Sequence, residues 1–407
     1  MQHTADGGSR LDVLDGLRGL AIVLVLIYHG CLLTGFKPAL QLFGVSLGLR
    51  TIGDTGFIGV SLFFFISGFC LFYPYARHCL EGARRPTLRH YAWRRFIKIV
   101  PSYVIALTAM AIIFHGDFKT FGDLARNYAL HLAFLHWFGG PEAFSAISGP
   151  FWTLAIEVEF YVIFPLIALA MMRAPLLTFL AAGLYAIWYR YSLTGVHDGH
   201  FYYVNSLQAH IDTFVTGMLA AYFFVRLRST VWMGYRWVRA GATVAAVAAF
   251  TTFVLLLHQL SVYGNLSAPW NFYRWDISHR VAMELLFFTI TLGTLFAWRE
   301  WHALVANRVL VWFSLVSYNL YLWHDGILVS CHDFGMPCNS GPTAWMRIPN
   351  WPAVYFITAT IMSIAVGSLL TYYVERPLLR TEPRDWAAWV RVVAARLRPV
   401  HEATGPT

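Results

Sequence analysis

Two ionisable side chains interrupt the first strongly apolar stretch of the sequence. Arg18 and His29 lie in LDGLRGLAIVLVLIYHG, residues 14–30. They are 11 positions apart, which on a helix is within about 20° of whole turns, so they share one face with His29 about 16 Å deeper. Ionisable groups at membrane depth are costly and are functional by default. The simpler alternatives are an interfacial anchor for Arg18 and an interhelical hydrogen bond for His29.

Other polar residues fall at similar depths in later apolar stretches. Glu157 and Glu159 are two positions apart, on opposite helix faces, so only one of them can face His29. Ser67 and His324 also fall inside apolar stretches. A histidine with a carboxylate partner is the minimal apparatus of general-base catalysis. It is equally the apparatus of a proton-coupled carrier, and the residues alone leave both functions open.

The composition predicts an all-α, polytopic membrane protein. Hydrophobic residues make up 58% of the 407 positions and charged residues 13%, against about 25% charged in soluble proteins. Ten stretches reach the roughly 20 residues that one membrane-spanning helix requires. They are residues 16–34, 56–75, 98–115, 150–171, 175–191, 208–226, 240–258, 281–298, 306–329 and 352–373.

The distribution of basic residues predicts the orientation of these spans. With a cytoplasmic N-terminus, 22 of the 30 Lys and Arg residues fall on the inner side. This asymmetry follows the positive-inside rule and predicts ten spans with both termini in the cytoplasm. The net charge of +9 therefore reflects topology, and we expect no nucleic-acid partner. The first span is too long for the apolar region of a cleaved signal peptide.

The chain divides into one large domain and a short tail. We predict a single transmembrane domain over residues 1–380 and a basic, amphipathic cytoplasmic tail over 381–407, suited to anionic lipids. Residues 121–140 are predicted to form an interfacial or re-entrant helix. A disulfide between Cys331 and Cys338 is left open, and the cysteine and histidine spacings match no familiar metal site, so we expect none.

Several blocks, in order along the chain, resemble the acyltransferase-3 family of bacterial integral-membrane acyltransferases. Arg18 and His29 match the family's pattern of Arg, ten residues and His. The later blocks that carry the resemblance are GFIGVSLFFFISGF, RRFIKIVPSY, FWTLAIEVEFYVIFPL, HIDTFVTGMLAA, SYNLYLWHDGIL and YYVERPLL. They cover nearly the whole chain.

The chain departs from the family pattern at three positions. Lys98 stands where a second spaced arginine is usual, which keeps a positive charge but loses the bidentate fork. His324 is followed by Asp325 and Gly326 rather than by a Trp-Pro-like turn, and His210 replaces an arginine. We also expect no fused SGNH-type esterase domain of the kind that some relatives carry.

The resemblance implies transfer of an acyl group, with acetyl expected, from cytoplasmic acyl-CoA to a hydroxyl of a carbohydrate or lipid-linked saccharide in the bacterial inner membrane. It implies that His29 is the base or acyl carrier and Glu157 its orienting carboxylate. The implied binding residues are Arg18, Arg94, Arg95 and Lys98 for the CoA phosphates, and Ser67, Trp152 and His324 for substrate. The alternatives are a proton-coupled exporter, an acyltransferase acting on a secondary metabolite, and a scaffold or sensor without activity.

Overall fold

Long helices make up most of the computed structural model, which describes residues 8–36, 39–42, 45–48, 50–195, 200–264, 269–333 and 350–381. The helices are α1 Gly8–Thr34, α2 Arg50–Thr55, α3 Gly59–Glu81, α4 Leu88–Ile113, α5 Phe121–Leu132, α6 Pro141–Phe144, α7 Trp152–Arg173, α8 Pro175–Ser192, α9 His200–Val204, α10 Leu207–Arg228, α11 Arg236–Gly264, α12 Pro269–Phe296, α13 Arg299–Val305, α14 Arg308–Asp333, α15 Trp351–Leu370 and α16 Arg376–Leu379. A π-helix, Thr371–Glu375, joins the last two.

The prediction of an all-α membrane protein is confirmed, with one small addition. Strands β1 Ala39–Leu42 and β2 Val45–Gly48 pair antiparallel between α1 and α2. Among the described residues, eight helical stretches are long and apolar enough to cross a membrane, judged by length and composition. The other two predicted spans coincide with α8 and α10, so each of the ten predicted stretches is helical. The number of crossings and the orientation remain predictions.

Close helix packing brings the elements of the site together. α10 packs along α3, and α1 packs between α3 and α14. A Cβ on Gly217 would lie 1.9 Å from the carbonyl oxygen of Phe65, and one on Gly19 would lie 1.9 Å from that of Leu310. Because neither position has room for a side chain, glycine lets the backbones of α3 and α10, and of α1 and α14, touch, as small residues do in membrane bundles.

A cluster of buried charges joins α8, α10 and α12. Arg190 and Asp212 form an ion pair of 2.7 Å, and Arg280 pairs with Asp276. Arg280 also contacts the ring of His210 at 2.9 Å, so α12 supplies a guanidinium beside the position where the family usually has an arginine. Each charge has a partner, as buried charges require. That Arg190 and Arg280 are buried and paired was not evident from the sequence.

The predicted interfacial segment contains two stacked, fully buried histidines. Its residues form α5 and a 3₁₀ turn, His136–Gly139. The rings of His131 and His136 are 4.2 Å apart and nearly parallel, and His131 Nδ1 donates to the carbonyl of Asn127. Burial lowers the pKa of His131 to about 4 and that of His136 to about 3. Both rings are therefore neutral at pH 7.

We expect this histidine pair to make the fold sensitive to acid. In the unfolded chain both residues take up protons near pH 6.5, whereas the fold keeps them neutral to about pH 4 and below. The contribution of the two neutral histidines to the free energy of unfolding is therefore fully present above pH 6.5 and is lost as the pH falls towards 4. At about 1.4 kcal/mol per pKa unit, the free energy of unfolding falls by on the order of several kcal/mol. Thermal unfolding of detergent-solubilised protein between pH 7.5 and 4.5 measures it.

The variant His136→Phe keeps the stacked ring and removes one of the two titrating groups. Its unfolding temperature should fall less steeply with acidification than that of the parent. The control is His115→Phe, because His115 is exposed. Equal slopes for His136→Phe and the parent protein would contradict the assignment.

Two predictions fall on residues that are not described. The tail beyond Thr381 lies outside the described residues, and so does Cys338. The disulfide between Cys331 and Cys338, which the sequence leaves open, is therefore untested. Its other member, Cys331, is buried at the end of α14.

Candidate active site

A cavity of about 360 Å³ lies between α1, α3, α4, α7 and α14. Four of its lining residues are cationic and one is a carboxylate. The lining consists of Arg18, Val60, Phe63, Phe64, Ser67, Cys70, Arg94, Arg95, Lys98, Ile99, Thr153, Leu154, Glu157, Tyr161, Ser314, Ser317, Tyr318, Tyr321 and Leu379. The structure thus brings together six of the nine predicted site residues in one cavity, and it places His29, His324 and Trp152 outside that lining.

The basic end of the cavity is formed by the start of α4 and by Arg18. The guanidinium of Arg18 lies 3.7 Å from Asp15 and 3.8 Å from the sulfur of Cys70. Arg95 stacks over the ring of Tyr161 at 5.6 Å, and no carboxylate within the described residues forms an ion pair with it. Among the four cations, Arg95 is therefore the one most available to an anionic ligand.

The other two cations are held by the C-terminal elements. Arg94 donates to the carbonyl of Leu379 at 2.8 Å. Lys98 pairs with Glu375, a buried residue of the π-helix that also accepts a hydrogen bond from Asn319 at 2.8 Å. π-Helices are frequent at functional sites. Glu375 therefore fixes the lysine that replaces the family's usual arginine.

Glu157 lies in the cavity and its hydrogen bonds are made there. Its carboxylate accepts from Ser67 Oγ at 3.2 Å and from the hydroxyl of Tyr161. Within the described residues no hydrogen bond joins Glu157 to His29. The Glu157 side chain thus points toward α3 and the cavity, and the orienting role that the resemblance implies for it stays a prediction.

Two hydroxyl groups close the end of the cavity that is opposite to the cations. Thr153 and Tyr321 share a hydrogen bond of 2.8 Å, and the Tyr321 hydroxyl also lies 3.1 Å from the carbonyl of Pro150. The backbone carbonyl of Tyr321 accepts from Nδ1 of His324 at 2.8 Å. The ring of Tyr321, which lines the cavity, also lies 5.6 Å from the ring of His324, so this one side chain stands between the cavity and the histidines.

His29 and His324 form a hydrogen-bonded pair beyond this closure. His324 Nε2 lies 3.2 Å from His29 Nδ1, and His29 Nδ1 is 3.1 Å from the carbonyl of Val25. Because Nδ1 of His324 donates to a carbonyl, its Nε2 must be the acceptor in the neutral ring. The hydrogen-bond network thus assigns the proton of His29 to Nδ1, which leaves the lone pair on Nε2.

Asp325 is a partly buried carboxylate within electrostatic range of His29. Its charge interacts electrostatically with the His29 ring, and the backbone N–H of Gly149 donates to its carboxylate. Gly149 begins the 3₁₀ turn that precedes α7. Sequence reasoning missed Asp325, although its position next to His324, where the chain departs from the family pattern, was the available signal.

Trp152 lies beside the cavity rather than in its wall. Its ring stacks on Phe144 at 5.9 Å and lies 6.3 Å from the ring of His210. Trp152 therefore packs among aromatic rings and links α7 to the buried, charged cluster at α10. Within the described residues, no three His, Cys, Asp or Glu side chains converge as metal ligands would.

These features define a class of protein: a multi-pass membrane protein whose basic cavity ends one side chain away from a hydrogen-bonded histidine pair. The model of the acyltransferase-3 family, an acyltransferase domain, matches residues 11–372. The chain therefore belongs to this family and carries its acyltransferase domain.

Curated relatives agree with this membership. The chain is 24% identical to a peptidoglycan O-acetyltransferase of Listeria monocytogenes over 90% of this chain and 55% of the relative. It is 26% identical to a putative membrane-bound transacylase of Komagataeibacter xylinus over 79% of this chain and 74% of the relative. The chain thus spans about half the length of the Listeria relative. No solved structure matches the chain significantly.

Proposed function

We propose that this protein is an integral-membrane O-acyltransferase that moves an acetyl group from cytoplasmic acyl-CoA to a hydroxyl of a carbohydrate. The single observation that carries the proposal is the cavity with four cations at one end and the His29–His324 pair beyond the other. A long donor with phosphates at one end and a thioester at the other fits such a cavity lengthwise. Family membership supports the reaction class.

The cations of the cavity bind the donor's phosphates. The guanidinium groups of Arg18 and Arg95 supply planar forks that match phosphate oxygens. Lys98 adds a point charge that Glu375 holds in place. The reacting end of the donor then lies near Thr153 and Tyr321.

His29 supplies the chemistry at the deep end. Its Nε2 lone pair takes the proton of the acceptor hydroxyl as the hydroxyl oxygen attacks the thioester carbon, or attacks that carbon itself and later passes the acyl group to the hydroxyl. In both routes the carbon–sulfur bond breaks and CoA leaves as the thiolate, and both need the tautomer assigned above. In either step the ring becomes positively charged. The Asp325 carboxylate stabilises that charge, and neutral His324 fixes the ring by accepting a hydrogen bond from its Nδ1–H.

The topology that we propose has ten spans, both termini in the cytoplasm and the protein in the bacterial inner membrane. The positive-inside distribution supports this orientation. It turns the mouth formed by Arg18 and the start of α4 toward cytoplasmic acyl-CoA and places His29 in the outer half of the bilayer. Residues 1–380 form the transmembrane domain, and residues 381–407 bind anionic lipid at the inner surface.

We propose a carbohydrate or lipid-linked saccharide as the acceptor because the Listeria relative is named for peptidoglycan. A lipid-linked acceptor would reach His29 from the outer side of the membrane. Ser67, Trp152 and His324 complete the proposed substrate contacts, with Ser67 in the cavity and His324 against His29.

The test is acyl transfer and donor binding by protein reconstituted in lipid nanodiscs. With radiolabelled acetyl-CoA and a saccharide acceptor, label should enter the acceptor with release of free CoA. We expect Arg95→Ala and Arg18→Lys each to raise the dissociation constant for acetyl-CoA about tenfold or more, because each removes a fork that grips phosphate.

The matched control is Arg239→Ala, since Arg239 lies on α11 and does not line the cavity. Unchanged donor affinity in Arg95→Ala and Arg18→Lys would remove these residues from the donor site. Flux driven by a pH gradient without any acyl-donor requirement would support a proton-coupled exporter instead.

A further inference from the structure

We propose that the closed end of the cavity is an acyl chamber that restricts the donor to short acyl groups, and that Phe63 sets the length. This inference rests on the proposed function, because it assumes that acyl-CoA enters from the basic end. It concerns a property that the reaction class leaves open, namely which acyl group the enzyme transfers.

The lining of the cavity changes from charged to apolar along α3. Cys70, which contacts Arg18, marks the basic end. Ser67 lies about one turn further along α3, and Phe63 and Phe64 about one turn further again, at roughly 5 Å per turn. Val60 and Leu154 complete this apolar end. A thioester held by its phosphates at the cations therefore presents its acyl group to these side chains.

Two walls of the chamber are fixed by their own contacts. The ring of Phe64 stacks on Phe214 at 4.8 Å and meets His210 edge-on at 5.1 Å. The Tyr321 hydroxyl is held by Thr153 and by the carbonyl of Pro150. While these contacts are kept, a longer acyl group cannot extend in these directions.

Phe63 is the side chain of the chamber wall that a substitution can shorten with the least loss of packing. It is only partly buried, and its ring meets Tyr321 edge-on with the centroids 6.2 Å apart. Its side chain occupies the space next to the hydroxyl closure, where the tail of a longer acyl group would have to lie. Removing the ring opens that space without touching the cations or the histidines.

The expected effect follows from the discrimination that a hydrophobic pocket can achieve. One methylene in such a pocket changes kcat/KM by about 10- to 200-fold. The parent protein should therefore prefer acetyl-CoA over butyryl-CoA and use hexanoyl-CoA scarcely at all. Phe63→Ala should raise the butyryl-to-acetyl ratio of kcat/KM at least tenfold.

The experiment measures kcat/KM for acetyl-, propionyl-, butyryl- and hexanoyl-CoA with the same acceptor. Phe63→Leu is the second variant, because it keeps most of the packing if Phe63→Ala does not fold, and it should shift the ratio in the same direction by less. Phe287→Ala is the control for lost packing, since Phe287 is buried on α12 and lies outside the cavity lining.

The outcomes separate this inference from the proposed function. An active parent that uses hexanoyl-CoA as well as acetyl-CoA, or a ratio unchanged within threefold in Phe63→Ala and Phe63→Leu, overturns the chamber and leaves the acyltransferase intact. A shift of the same size in Phe287→Ala also overturns it. A parent that transfers no acyl group from any of the four donors overturns the proposed function, and the chamber with it.

Discussion

Replacing His29 with alanine should abolish acyl transfer while the protein still inserts and folds. The variant loses the Nε2 lone pair that accepts the proton or the acyl group. General-base assistance contributes about 10²–10⁴-fold, so the remaining rate should be at or below about one hundredth of the parent's. Transfer from labelled acetyl-CoA in nanodiscs measures it.

The control for this variant is His332→Ala on the exposed end of α14. Its activity should equal that of the parent. Binding of acetyl-CoA to His29→Ala should also be preserved, because His29 is not part of the cavity lining. Activity within threefold of the parent would refute the role of His29 in the chemical step.

The helices and the shared face of Arg18 and His29 could be predicted because both depend on local sequence. Each of the ten predicted apolar stretches is helical. Helical periodicity fixes the angle between two residues of one helix, so the relation between Arg18 and His29 needed no knowledge of the neighbours. The cationic cluster was predictable for the same reason, since Arg94, Arg95 and Lys98 are close in sequence.

The partner of His29 could not be predicted, because it depends on how separate helices are rotated against each other. Rise per residue gives the depth of Glu157 but not the direction in which α7 turns it. That direction is set by close packing between helices, as at Gly19 where α1 meets α14. The same packing brings Asp325 within electrostatic range of His29 and Glu375 into contact with Lys98, over separations of 296 and 277 positions.

The structure makes a sharp prediction about which carboxylate serves His29. Asp325→Asn keeps an oxygen that can accept from the backbone N–H of Gly149, but it removes the charge that stabilises the His29 imidazolium. The turnover number should fall about 10²–10⁴-fold, with the KM for acetyl-CoA little changed.

Glu157→Gln replaces the carboxylate with an uncharged amide, whose oxygen and nitrogen remain near Ser67 and Tyr161. Because Glu157 lines the donor cavity, this variant should change mainly the KM for acetyl-CoA.

Steady-state kinetics of both variants between pH 6 and 9 decide between the two carboxylates. Glu159→Gln serves as the matched control, since Glu159 is on the opposite face of α7 and does not line the cavity. A loss of turnover in Asp325→Asn with an altered pH profile, and a change of KM in Glu157→Gln, would support Asp325 as the residue that positions and stabilises His29. The reverse pattern, with turnover lost in Glu157→Gln and retained in Asp325→Asn, would restore Glu157 as the partner of His29. In either pattern the hydroxyls of Thr153 and Tyr321 must part for the thioester in the cavity to reach His29.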